Sequence, residues 1–388
     1  MRSGYPPGQS NTPSGIREGA MDLAYLHPLY EHPGPWASVY VDTSRHIEST
    51  PHERTLTAQT LARDLEWQGA DEQTCRAVRN AVEELAHFPE PHGRALFARA
   101  GEVVLDPPLA AVPGGSSASW ASLPHTAPLL DLANEEPVCV VAYIDRKGAE
   151  FELRGALGSK EAGKATGQGW PLHRTTTGDW SVRHFQLRVE NIWEHNAAEI
   201  ADALAVCQEE TGADLVILVG EQRERRSVHE RLPNRLQDRV AEASHGPGSR
   251  LLDENVERIR AAHVRARAAE ELERFLAARA PDDEGRSRAV EGVPAVVEAA
   301  REHCIDELLI NPDGSDTRRK VWIGGDPDQV AVRRGDLTGL GERHPEQARA
   351  DDALLRAVVE TGAAAISVPT TPPGEAPEGG VGALLRWA

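Results

Sequence analysis

Residues 137–155, PVCVVAYIDRKGAEFELRG, decide the fold. An apolar run rich in β-branched residues ends at a polar turn, and a second strand, AEFELRGALG, returns from it; this predicts an antiparallel hairpin that opens a domain. Residues 159–179 downstream are rich in Gly and Thr, carry several cations and predict a long exposed loop. Loops over about 15 residues with no structure of their own are usually functional or disordered. A long helix over about 181–210 and a buried strand, ADLVILVG, complete the unit.

Working outward, residues 36–110 predict a small α/β domain: a strand (WASVYVD), two amphipathic helices over 53–67 and 72–87, and a hairpin (RALFARAGEVVLD). PPLAAVPGGSSASWASLPHTAP, where Pro, Gly and Ser accumulate and periodicity is lost, reads as its exit linker. The first twenty residues read as a disordered tail without a signal core, and Met21 as an alternative translation start. Beyond the middle unit, a helix over about 251–280 reads as a solvent-facing connector into an alternating helix and strand domain, a compact α/β sandwich. The expected organisation is α/β (α+β) in three domains, 21–133, 134–275 and 276–388, after the tail at 1–20.

No stretch reaches the roughly 20 apolar residues of a membrane span, so a soluble cytoplasmic protein is expected, with neither membrane nor DNA as partner. Four cysteines stand far apart with no CxxC, which predicts small buried residues and neither disulfides nor a zinc site. The net charge of −19 opposes general nucleic-acid coating. Yet residues 146–188 carry eight Lys/Arg against four acids, a +4 island on a −23 remainder. Such an island permits a local RNA contact. A second basic run spans 223–239 and reads equally well as a solvated face.

Gly158, Gly163 and Lys164 imitate a phosphate-binding loop, but Ala165 stands where the magnesium-binding hydroxyl belongs and no helix can start at Thr166-Gly167-Gln168-Gly169-Trp170-Pro171. Other hydrolase, kinase, metalloprotease and dinucleotide motifs are absent, and the histidines lack ligand spacing, so no metal or cofactor is expected. What remains is a cationic, aromatic cluster: Lys160, Lys164, His173, Arg174, Trp180, Arg183, His184 and Arg188, with Gln168 among them. Aromatic faces stack on bases while cations meet phosphates. Trp193, inside the helix, reads as a packing residue.

Four pieces in order, PVCVVAYIDRKGAEFELRG, GDWSVRHFQLRVENIWEHN, EGVPAVVEAAREHCIDELLINPD and the terminal GGVGALLRW, resemble the archaeal and eukaryotic release factors and Pelota over about 137–388. Within that superfamily the sequence resembles most the bacterial branch that includes the ribosome hibernation factor Balon. The resemblance implies a release-factor-like mixed sheet with a long helix in the middle domain and a ribosomal-protein-like sandwich in the last. It also implies binding in the ribosomal A site beside ribosomal RNA and P-site tRNA, with elongation factor Tu as a companion. The junction where release factors carry Gly-Gly-Gln reads Gly178-Asp179-Trp180-Ser181, and the NIKS and YxCxxxF codon-reading motifs are missing. Occupancy of idle ribosomes without a catalytic residue is therefore expected. The alternative is a rescue peptidyl-tRNA hydrolase that uses Gln168 to place water.

Overall fold

The computed structural model describes residues 23–32, 34–43, 51–85, 93–133, 137–155, 158–166, 179–281, 283, 285–339, 341–368 and 376–387, without the side chains of 51–53, 166 and 179–192. The expected tail at 1–20 lies outside the described residues.

In the first domain a short helix α1 (His27–Tyr30) precedes strand β1 (Trp36–Asp42), helices α2 (Pro51–Trp67) and α3 (Glu72–Glu84), and strands β2 (Gly93–Arg99), β3 (Glu102–Leu105), β4 (Pro108–Leu109) and β5 (Ser117–Ala121). The sheet runs β3-β2-β1-β5, with β4 on β2. Asp71 caps α3 by accepting the Thr74 amide at 2.8 Å, the residue type and spacing that start helices. The segment expected to be a linker behaves differently: it supplies β4 and β5, and β5 pairs antiparallel with β1. Its Pro, Gly and Ser residues describe an edge strand and turns, because the pairing is dictated by β1 and by Gln68, whose amide donates to the Ala118 carbonyl at 3.1 Å and accepts the Trp120 amide at 2.9 Å.

β1 is buried on both faces, which explains an unbroken apolar run where a half-exposed strand would alternate. Ala37, Val39 and Val41 face α2 and α3. Trp36 and Tyr40 face the other way, into a core shared with the last domain.

The middle domain is a sheet of order β10-β9-β6-β7-β8, built from β6 (Cys139–Asp145), β7 (Gly148–Gly155), β8 (Gly158–Thr166), β9 (Leu215–Val219) and β10 (Val240–Glu242). α4 (Leu129–Leu132) precedes it, α5 (Asp179–Thr211) follows β8, α6 (Gln222–His229) and α7 (Asn234–Gln237) follow β9, and α8 (Leu252–Ala278) leads away. β6 and β9 pair in parallel with five consecutive partners. α5 covers one face through Trp193, Ala197, Ile200 and Leu204. The start of α8 covers the other through Leu252 and Val256. Gly220, at φ +157°, lets the chain leave β9 against β6: a Cβ there would lie 2.6 Å from the Ile144 carbonyl oxygen.

In the last domain, β11 (Ala289–Glu291), α9 (Val293–Arg301), β12 (Ile305–Ile310), β13 (Lys320–Ile323), β14 (Val330–Ala331), α10 (Arg334–Gly339), β15 (Glu346–Arg349), α11 (Ala350–Thr361), β16 (Ala364–Ser367) and β17 (Val381–Leu385) form two sheets, β11-β17-β12-β16 and β14-β13-β15. The 27-residue α8, about 40 Å long, ends on the larger sheet, where Leu272 and Phe275 join Leu309 and Leu384. The expected boundary at 275/276 thus falls inside one continuous helix, and both ends of the supposed solvent-facing connector are anchored in cores. All four cysteines are buried and free, and none of the described helices is long and apolar enough to cross a membrane.

Candidate nucleic-acid interface

The expected loop from 159 begins instead as a strand: β8 pairs along β7 from Gly155↔Gly158 to Gly148↔Thr166. A strand without apolar alternation forms here because β7 offers a free edge. Among the described side chains of β8 only Ala165 is buried, and Gly163 lies beside Phe151. The phosphate-loop imitation is therefore extended backbone, and it cradles nothing.

The β8 register slips between Phe151↔Gly163 and Glu152↔Glu161, which leaves Ala162 as the extra residue of a bulge. One inserted residue reverses every side chain beyond it. Lys164, opposite Glu150, and Lys160, opposite Leu153, consequently project from opposite faces of the sheet although they are four residues apart. Lys164 pairs with the Glu150 carboxylate, which holds its ammonium above the usual lysine range. The pair is open to water, where such contacts are weak and exchangeable.

At the β6–β7 turn, Asp145 Oδ1 accepts the Lys147 and Gly148 amides at 2.6 and 2.9 Å and fixes the reversal. Arg146 is committed to Glu224 at 3.1 Å. Lys147 is exposed, and with Lys164, Asp145, Glu150, Tyr143 and Pro247 it lines a cleft of about 440 Å³. Composition includes Lys147 in the basic island but does not bring it to the site. Its position on the turn residue next to Gly148, the partner of Thr166, was the available signal.

The direction of α5 places the remaining candidates. Its Asn196 side chain donates to the Arg146 carbonyl at 3.2 Å, at the turn end of the sheet. Near its other end, Gln208 Nε2 donates to the Ala213 carbonyl at 2.8 Å, and the Asp214 amide reaches Val138 at the start of β6. The helix thus runs antiparallel to β6 and continues past the sheet. Trp193 still packs on the sheet, and from it back to Asp179 is about 21 Å of helix at 1.5 Å per residue. Trp180, Arg183, His184 and Arg188 lie on this projecting portion, and their side chains are outside the described residues. Gln168, His173 and Arg174 also lie outside the described residues. Trp193 is buried in the α5 core, as its packing role predicts.

On the face away from α5, which Lys164 shares, Tyr143 donates to Glu152 at 2.6 Å, and Arg154 donates to Glu152 at 3.0 Å and to Asp253 of α8 at 2.8 Å. Burial and the neighbouring carboxylate push the Tyr143 phenol up to about 12. Burial would raise Glu152, but hydrogen bonds from Tyr143, Arg154 and Ser159 outweigh it and hold the carboxyl low. This network ties the hairpin to α8 and engages both terminal nitrogens of Arg154, while its Nε is buried away from any phosphate. The second basic run is similarly occupied: Arg225 with Glu242, Arg226 with Glu230, and Arg235 with Glu209 and Gln208.

Among the described residues one group has metal-ligand composition, His125 with Asp351 and Asp352. It does not fit a metal. Asp351 is taken by Arg349, and the Asp352 oxygens accept His125 Nδ1 and the Thr126 and Ala127 amides.

Residues 138–281, the middle domain with the linking helix, match the family described as bacterial archaeo-eukaryotic release factor family 2. The chain is 31% identical over 359 residues to "Uncharacterized protein Rv2629" of Mycobacterium tuberculosis (strain ATCC 25618 / H37Rv), covering 92% of this chain and 94% of that one. The chain belongs to this bacterial family of archaeo-eukaryotic release-factor-like proteins. Among solved structures, it is similar to the archaeal translation termination factor aRF1 at 18% identity, 94% and 96% coverage and a TM-score of 0.24. A structure described as ribosome-bound archaeal Pelota with ABCE1 is similar at 15% identity, 95% coverage of each chain and a TM-score of 0.39.

Proposed function

We propose that this protein is a ribosome-binding translation factor that occupies the A site of idle ribosomes and protects them by occupancy, in the manner of a hibernation factor. The observation that carries the reading is the convergence at one end of the release-factor-like domain. There the exposed Lys147 and Lys164, the end of β8 at Thr166 and the roughly 21 Å of α5 that precedes Trp193 lie at the β6–β7 turn end of the sheet. A long cationic projection on an acidic body suits a narrow RNA-lined channel, because attraction is confined to the tip. Lys160, set back from the tip along β8 opposite Leu153 and on the other face, adds a weaker contact to the channel wall behind the tip. P-site tRNA is the neighbour that the tip meets, and elongation factor Tu is the companion that would deliver it.

Absence of Gly-Gly-Gln at Gly178-Asp179-Trp180-Ser181 separates occupancy from hydrolysis. The experiment pairs ribosome binding with peptide release from ribosomes that carry P-site peptidyl-tRNA, for the wild type and Gln168→Ala. Binding by both proteins without release supports occupancy. Release that collapses in Gln168→Ala overturns it in favour of the peptidyl-tRNA hydrolase.

A further inference from the structure

The first and last domains share one hydrophobic core, in which Leu26, Leu29, Trp36, Phe97 and Leu129 pack with Val321, Ile323, Leu354, Leu355 and Val358. Inside that interface lie charges, which is costly unless each is paired. Asp352, at the start of α11 and 2 % exposed, receives His125 Nδ1 at 2.9 Å, the Thr126 amide at 2.9 Å and the Ala127 amide at 3.2 Å from the first domain. Arg349 Nε stands 3.5 Å from it, and the same guanidinium grips Asp351. The first domain holds His125 in place: its amide donates to Ser38 Oγ at 2.8 Å, and its carbonyl accepts the Tyr40 hydroxyl at 2.6 Å. The neighbouring Thr126 hydroxyl shares a 2.8 Å hydrogen bond with Tyr30.

We propose that His125, Arg349, Asp351 and Asp352 form a proton-controlled latch that fastens the first domain to the last. Two carboxylates face two cations only while His125 is protonated, so loss of its proton leaves the buried group with one uncompensated negative charge. The other groups around it do not replace that charge. Tyr40 and Tyr30 stay neutral, since burial raises both phenols. Arg356, one turn along α11, is turned to the Gly324 and Asp326 carbonyls at 3.1 and 2.9 Å.

Burial alone would lower the imidazole, but Asp352 outweighs it and His125 lies above the ordinary 6.5. A histidine raised by docking contributes stability that is complete below its undocked value and is lost as pH rises through the docked one. Asp351, raised by burial and by Asp352, acts with the same sign from the carboxylate range upward. The histidine contribution is therefore complete below its ordinary 6.5 and is lost as pH rises through the higher value that docking gives it.

The test is amide hydrogen exchange on the full chain between pH 6 and 9, corrected for intrinsic rates and read at Thr126 and Ala127, whose N–H groups donate to Asp352. Protection at both should fall several-fold with rising pH, each unit of pKa difference being worth up to about tenfold. It should become flat in His125→Gln, and the middle-domain amide of Val216 should not follow. Flat wild-type protection, or an equal fall in His125→Gln, overturns the latch. If the variant does not fold, the NMR titration of His125 in the wild type decides: a midpoint above 6.5 supports it, and one at or below 6.5 overturns it.

Discussion

Asp352→Ala is the substitution with the largest expected consequence. The carboxylate is almost completely buried and receives two amides, an imidazole and part of a guanidinium from two chain segments, 125–127 and Arg349. Alanine leaves the Thr126 and Ala127 N–H groups without an acceptor and His125 without its counter-charge. Removing one partner of a buried ion pair typically costs about 3–5 kcal/mol, mostly because the other charge is left uncompensated. The methylene carbons lost with the side chain are a minor addition. Glu254→Ala supplies the control: its pairing with Arg258 at 3.1 Å is 69% exposed on the glutamate side, and exposed helix pairs are worth about 0.3–0.5 kcal/mol. Urea unfolding followed by tryptophan fluorescence reports both regions, since Trp36 sits in the shared core of the first and last domains and Trp193 in the middle domain. Asp352→Ala should bring the shared-core transition to lower urea by the equivalent of about 3–5 kcal/mol and leave the middle-domain transition in place. A loss below about 1 kcal/mol, no larger than an ordinary hydrogen bond, would refute the account of this interface.

Three further outcomes follow from the geometry. Replacing Lys147, Lys160 and Lys164 together by Ala should reduce the slope of log affinity for ribosomes against log salt by about 2 to 3, since each phosphate contact contributes about 0.7–0.9; the slope is read by sedimentation across a salt series. Gly220→Ala should destabilise the middle domain by more than about 1 kcal/mol, because the new methyl meets the Ile144 carbonyl at 2.6 Å; the Trp193 transition in urea checks it. Glu152→Gln should blunt the acid sensitivity of the middle domain. A carboxyl held low in the fold contributes stability above its unfolded value, near 4.5, that is lost as pH falls through the folded one; the wild-type and variant unfolding midpoints between pH 3 and 7 measure it.

The 137–155 hairpin was legible because its apolar run, polar turn and alternating return are local signals, and the long helix after it because its apolar periodicity is sustained. β8 was not. Its sequence, GSKEAGKAT, has no strand pattern, and the partner edge on β7 imposes its conformation. The same holds for β5, whose Ser and Gly surroundings describe a linker until β1 and Gln68 are brought beside it. Charges at the interdomain contact were invisible for another reason. Asp351 and Asp352 sit where acids favour any helix start, so nothing local marks them as buried, and His125 lies 227 residues away from Asp352. The site residues divide similarly. Composition located the basic island, but only the bulge at Ala162 separates Lys160 from Lys164, and only the β6–β7 turn adds Lys147.

The central claim is ribosome occupancy by the tip of the middle domain. Co-sedimentation of the purified chain with vacant 70S ribosomes, at low and rising salt, tests it most directly when the Lys147, Lys160 and Lys164 triple-alanine variant is run beside the wild type. The account predicts binding at low salt that falls steeply as salt rises and is weakened in the variant. No sedimentation with ribosomes at low salt, or binding indifferent to both salt and the three lysines, would contradict it.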